Sequence, residues 1–170
     1  MYLSAFLAGL AHPVGGADHI LAMVAVGLWG AFSGGRALWA WPSAFVSMVV
    51  VGFATAVWGV KIPLVEPAIL CSIVVLGLLV ALAVKAPVWL GALIVGVFAL
   101  FHGHAHGTEA TMAELRPVGY AAGFSLATAG LHAVGILGGL FLTRCARMSL
   151  LRSTGIAVAV GGLALMAAAS

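Results

Sequence analysis

The segment His12-Pro-Val-Gly-Gly-Ala-Asp18-His19 combines two imidazoles with a carboxylate. A spacing of seven residues returns a helical side chain to nearly the same face after two turns, so His12 and His19 would share a stripe that Met23 extends. Asp18 could ligate a metal ion, or accept the spare N–H of a ligating imidazole. The alternative is that His12 and Asp18 only cap the helix that begins here. Met23 is interpreted as an ordinary core or lipid-facing residue.

The segment Phe101-His102-Gly103-His104-Ala105-His106-Gly107 holds three more histidines. Neutral imidazole is a leading ligand for zinc, copper, nickel and cobalt, and it carries no negative charge into an apolar environment. On a regular helix His102 and His106 share a face while His104 points nearly opposite, so all three converge only if the helix unwinds at its glycines. The alternative is a polar helix end at a membrane surface.

Composition indicates where these ligands lie. The chain is 64% hydrophobic and 6% charged, with a mean hydropathy of +1.25, whereas soluble domains carry about 25% charged residues. Its apolar runs are continuous over about 18 to 27 residues, close to the roughly 20 that a helix needs to cross a bilayer. We therefore predict an all-α, polytopic transmembrane helical bundle of about six spans, forming a single domain over residues 1–170.

The first span is predicted to be broken at His12-Pro-Val-Gly-Gly, and the others to cover about 42–60, 67–84, 87–106, 117–143 and 150–169. Prolines 42, 67, 87 and 117 are placed at helix starts. Irregular backbone at membrane depth is tolerated where it lines a cavity, so the break is itself a candidate site. Small-xxx-small glycine spacings predict close helix packing and a narrow polar route.

The basic residues predict an orientation. With the amino terminus outside, five of the seven fall inside: Arg36, Lys85, Arg144, Arg147 and Arg152. Both histidine segments then lie at the outer end and can meet. Since the charge marks topology, no nucleic-acid partner is expected, and Cys71 and Cys145 are interpreted as structural.

Two further residues are candidates for the same metal route. Glu66 falls on the outer side and could add a carboxylate oxygen, or be an ordinary interfacial acid. His132 lies beyond the middle of the fifth span, where it could be a ligand partway along a pore or a satisfied core histidine. No nucleotide-binding loop and no His-Glu-x-x-His motif are present, so an ATP-driven pump or another enzyme is not expected.

These segments resemble the HupE/UreJ nickel permeases. The resemblance rests on His12-Pro-x-x-Gly-x-Asp18-His19-x-x-Ala-Met23, on Glu66 in Pro-x-x-Glu-x-x-Ile-x-x-Ser, on the three-histidine segment, and on Thr128-x-x-Leu-His132-x-x-Gly135. It covers essentially the whole chain. Family membership implies a secondary permease of the bacterial cytoplasmic membrane supplying nickel to urease or hydrogenase maturation proteins. The distribution of basic residues then predicts a periplasmic amino terminus. Members usually carry a cleaved signal peptide, and none is seen, so a mature or truncated chain is expected.

The resulting hypothesis has Ni²⁺, or alternatively Co²⁺ or Zn²⁺, as the transported ion and no organic cofactor. The metal would bind at His12, Asp18, His19, Glu66, His102, His104 and His106 and pass toward His132. One alternative is a membrane metal sensor or chaperone that transports nothing. Another is a small haem protein that uses histidine pairs.

Overall fold

The computed structural model describes residues 2–169 and folds them into seven helices with no strand in that range. The helices are α1 Tyr2–Gly15, α2 Ala17–Ser33, α3 Ala37–Val57, α4 Val65–Ala81, α5 Val88–Met112, α6 Pro117–Arg144 and α7 Met148–Ala169. The prediction of an all-helical bundle is therefore confirmed.

Four helices, α3, α5, α6 and α7, are long and apolar enough to cross a membrane. α1 and α2 pass the same test as a pair, but they are bent by 80° at Gly16, so they form one broken segment as predicted. α4 is apolar but has 17 residues, a little short of the roughly 20 needed by a perpendicular helix. The protein is thus a multi-pass membrane protein, with four or five full-length spans and a shorter apolar helix.

Glycines allow the helix backbones to touch. A Cβ atom on Gly103 of α5 would lie 2.0 Å from the carbonyl oxygen of Val49 in α3, and one on Gly135 of α6 would lie 2.3 Å from that of Val24 in α2. In each pair, residues with higher numbers on one helix contact residues with higher numbers on the other. α3 therefore runs parallel to α5, and α2 runs parallel to α6. We call the end of the bundle where α5 finishes and α6 begins the α5–α6 end.

α3 begins at Ala37, so the placement of Pro42 at a helix start is wrong. The extra turn is stabilised by Ala37 and Trp41, which are buried, and by the bond from the Trp41 indole nitrogen to the Val88 carbonyl at 2.9 Å. This burial offsets the one backbone hydrogen bond that Pro42 cannot donate.

α5 continues to Met112, past the predicted end at residue 106. The predicted acidic loop over residues 108–116 therefore begins as helix. Thr108 and Thr111 each donate a side-chain hydrogen bond to the carbonyl four residues earlier, at 3.0 and 2.7 Å, and so remain compatible with the helix. This extension places Glu109 one turn beyond His106.

The α3–α5 packing predicts that Gly103→Ala is costly. The added methyl group would meet the α3 backbone, which cannot rotate away, and overpacking of this kind costs about 1–3 kcal/mol. Gly130→Ala is the matched control, because a Cβ atom there meets nothing within 4 Å. We expect the midpoint temperature of thermal unfolding in detergent to fall by several degrees for Gly103→Ala and to stay unchanged for Gly130→Ala. Equal midpoint temperatures for the two variants would contradict the close packing of α3 and α5.

Candidate metal centre

The two histidine segments meet through His19 of α2 and His106 of α5. The Nε2 atoms of these residues lie 2.5 Å apart and their ring centroids 4.5 Å apart. Both side chains are buried, with exposures of 6% and 1%. Residues 87 positions apart in the sequence are therefore in direct contact inside the bundle.

A carboxylate lies at the opposite nitrogen of each ring. Asp18 Oδ1 is 2.7 Å from His19 Nδ1, as an ion-pair contact, and Glu109 Oε2 is 3.0 Å from His106 Nδ1. Gly16 makes the first contact possible, because a Cβ atom there would lie 2.6 Å from Asp18 Oδ1 and 2.8 Å from His19 Nδ1. Carboxylates placed in this way orient metal-binding imidazoles and raise their basicity.

This arrangement fixes which ring nitrogen carries the proton. An ionised carboxylate only accepts hydrogen bonds, so His106 Nδ1 holds the proton that it donates to Glu109, and His106 Nε2 is the acceptor in its contact with His19 Nε2. The two Nε2 atoms are directed into the same space, so a cation that displaced the proton between them would meet two imidazole donors. Imidazole lone pairs are the donors that divalent transition metals prefer.

His12 of α1 completes a group of three. Its ring lies 4.6 Å from that of His106 and 5.5 Å from that of His19, and its Nε2 atom is 3.4 Å from Glu109 Oε2. One ligand atom from each of the three histidines falls within 4.8 Å of the others. We call His12, His19 and His106, with Asp18 and Glu109, the outer centre.

The outer centre is open on one side. His12, Asp18, His19 and Glu109 line a crevice of about 520 Å³ together with residues of the α1–α2 break. Half of the Glu109 side chain is exposed. A hydrated cation can therefore approach the two carboxylates before it reaches the buried imidazoles.

His102 lies one turn deeper on the same face of α5 and is fully buried. The Ser72 hydroxyl donates to the Ile69 carbonyl at 2.6 Å, so it accepts from His102 Nε2, which is 3.1 Å away. The Nδ1 atom of His102 is then the free acceptor, and it has no hydrogen-bond partner. Its ring lies 5.5 Å from that of His19, next to the outer centre.

His104 and Glu66 lie outside the outer centre. α5 stays helical through Gly103 and Gly107, so the unwinding needed to bring His104 to the other histidines does not occur. The Thr55 hydroxyl, which donates to the Gly52 carbonyl, instead accepts from His104 Nδ1 at 3.1 Å. Exposed Glu66 lines a separate crevice of about 570 Å³ with His104 and Glu109.

His132 of α6 is buried at 1% exposure, and neither of its ring nitrogens has a hydrogen-bond partner. Thr128, one turn earlier on α6, also has an unpaired buried hydroxyl. Each unsatisfied buried polar group costs about 1–3 kcal/mol, so these two are costly as core residues. His132 is thus not the satisfied core histidine of the alternative interpretation. Met23, by contrast, is an ordinary core residue with 0% exposure.

Sequence reasoning missed Glu109. It follows His106 by three residues, which on a helix puts both side chains on one face. The signal was present in the sequence but was lost because residues 108–116 were interpreted as a loop. The structure therefore brings Glu109, rather than Glu66, to the histidines.

Substituting the two acids separates their roles. Glu109→Gln keeps the shape of the side chain but removes the charge that holds the proton on His106 Nδ1, and we expect it to weaken Ni²⁺ binding by about 10–100-fold. Glu66→Gln is the matched control, with a change of less than about threefold. Isothermal titration of the purified protein in detergent measures both, and an equal loss in the two variants would contradict the placement of Glu109.

Comparison with known proteins bears on this site. The family model described as HupE / UreJ protein matches residues 2–165. Protein HupE of Rhizobium leguminosarum bv. viciae is 48% identical over 163 residues, which cover 94% of this chain and 83% of that protein. No solved structure matches the chain. The resemblance seen in the motifs is confirmed, and the chain belongs to the HupE/UreJ family.

Proposed function

We propose that this protein is a secondary permease that carries Ni²⁺, or alternatively Co²⁺, across the cytoplasmic membrane for urease or hydrogenase maturation. The observation that carries the proposal is the opposed pair of Nε2 atoms on His19 and His106, each ring backed by a carboxylate at Nδ1. Membership of the HupE/UreJ family and the multi-pass helical fold support it. The choice of nickel rests on the family, because imidazole and carboxylate ligands do not by themselves separate nickel from cobalt.

The outer centre has the properties of a transient site. Its ligands come from α1, α2 and α5, and no helix contributes more than one turn. One carboxylate is half exposed, so the ion keeps some water while it exchanges the rest for imidazole nitrogens. Conduction requires binding that is strong enough for entry and weak enough for release. A mixed, open ligand set meets both requirements.

A second set of imidazoles continues inward from the outer centre. His102 follows His19 at a ring distance of 5.5 Å, and His132 lies deeper still along α6. Both residues have unpaired ring nitrogens in a buried setting. These are the donors that an ion needs after it leaves the outer centre, and they favour transport over a sensor or chaperone, which needs no buried route.

The haem alternative does not suit the outer centre. A bis-histidine haem needs its iron and the whole porphyrin plane between two imidazoles. His19 and His106 are in contact through their Nε2 atoms, which leaves no space for that plane.

The charge distribution supports a periplasmic α5–α6 end. The loops and helix ends at the opposite end carry Arg36, Lys85, Arg144, Arg147 and Arg152, and the cytoplasmic side of membrane proteins is enriched in such residues. The crevice of the outer centre would then face the periplasm, from which nickel enters.

The test is nickel flux into proteoliposomes. We expect His19→Ala to lower the initial rate at least tenfold, since it removes one of the two opposed ligands. His104→Ala is the matched control, an imidazole outside the outer centre, and it should retain at least half of the wild-type rate. Wild-type flux from the His19→Ala variant would contradict the proposed route. Nickel binding by the wild type without flux would favour the chaperone alternative.

A further inference from the structure

Phe45 of α3 lies against the imidazoles of both His102 and His132. Its side chain is fully buried, and its ring centroid lies 5.6 Å from that of His102 and 5.0 Å from that of His132. On the His102 side the series continues through His19 to the outer centre. A side chain with no ligand atom is therefore in contact with potential metal ligands on both α5 and α6.

Polar groups resume beyond Phe45. His132 has two unpaired ring nitrogens and Thr128 an unpaired hydroxyl, all buried. His132 also lines a crevice of about 420 Å³ between α3 and α6, along with Ser43 and Ser47. We call His132 and Thr128 the inner station. His132 lines this crevice and Thr128 does not, and the crevice is distinct from that of the outer centre.

We propose that Phe45 is the gate between the outer centre and the inner station, and that it is closed in this structure. The inference rests on the proposed function. An apolar ring excludes water and offers no lone pair to replace it, so a divalent cation cannot rest beside it. If the imidazoles ran on without interruption, the two crevices would be joined permanently and the membrane would leak ions.

The helix that carries Phe45 has a local means of movement. Pro42 lies inside α3, three residues before Phe45, and has no N–H to donate to the carbonyl of Leu38. Interior prolines are common sites of helix bending. A change of bend at Pro42 would shift Phe45 relative to His102 and His132, which are on α5 and α6.

Thiol accessibility tests the gate without relying on transport. Cys71 and Cys145, both exposed, are replaced by serine, and His132→Cys is introduced at the inner station, where position 132 lines the crevice. A small cationic methanethiosulfonate is applied to intact cells and to inverted membrane vesicles. With Phe45 present, we expect labelling from one face only. With Phe45→Ala, labelling from the blocked face should rise at least tenfold, since removal of the ring joins the two crevices.

Phe53→Ala is the matched control, because it removes a ring from the same helix but does not lie between His102 and His132. It should leave labelling confined to one face. Labelling from both faces with Phe45 present, or an unchanged rate in Phe45→Ala, would overturn the gate.

Enlarging the ring gives a second test. Phe45→Trp should bind Ni²⁺ at the outer centre within threefold of the wild type, yet carry it into proteoliposomes at least tenfold more slowly. Titration of binding shows that the variant is folded. A Phe45→Trp variant that carries nickel at the wild-type rate would overturn the proposal. If the wild type binds nickel but carries none, the permease function fails, and labelling at His132→Cys still decides whether Phe45 is a gate.

Discussion

The contact between His19 Nε2 and His106 Nε2 is the interaction on which the organisation of the outer centre depends. Both rings are buried, and electrostatic effects are large in such an apolar interior. Carboxylates flank both rings: Glu109 accepts a hydrogen bond from His106 Nδ1, and Asp18 Oδ1 lies 2.7 Å from His19 Nδ1. The outer centre thus brings together imidazoles and carboxylates, which are ligand types that divalent transition metals take.

Close helix packing brings these ligands together. His19 lies at the start of α2 and His106 near the end of α5, so the contact requires the α1–α2 break to point at α5. Backbone contacts at Gly103 and Gly135 set the two parallel pairs, α3 with α5 and α2 with α6, at their small separation. Without a hydrophobic driving force in lipid, such contacts are a principal source of helix association. The same packing makes the interior narrow enough for one phenylalanine to block it.

Much of this could be predicted from the sequence. Continuous apolar runs predicted the helical membrane bundle, and the interrupted first run predicted its broken span. The charge pattern placed the two histidine segments at one end, where the structure has them.

The predictions failed where local rules competed with burial. Pro42 was placed at a helix start, although α3 begins one turn earlier, in a segment that includes the buried Trp41. Glu109 was assigned to a loop because the fourth span was predicted to end at residue 106, whereas α5 continues to Met112. Pairings such as Phe45 with His132 depend on which helices are neighbours, and spacing within one helix carries no such information.

Anomalous diffraction at the nickel absorption edge, from crystals grown with Ni²⁺, tests the central claim most directly. We expect one strong peak between the Nε2 atoms of His19 and His106, within about 2.0–2.2 Å of each, as is usual for metal–imidazole bonds. The Nδ1 atoms should remain on Asp18 and Glu109. A peak in the crevice of Glu66 and His104, with His19 and His106 unliganded, would contradict it.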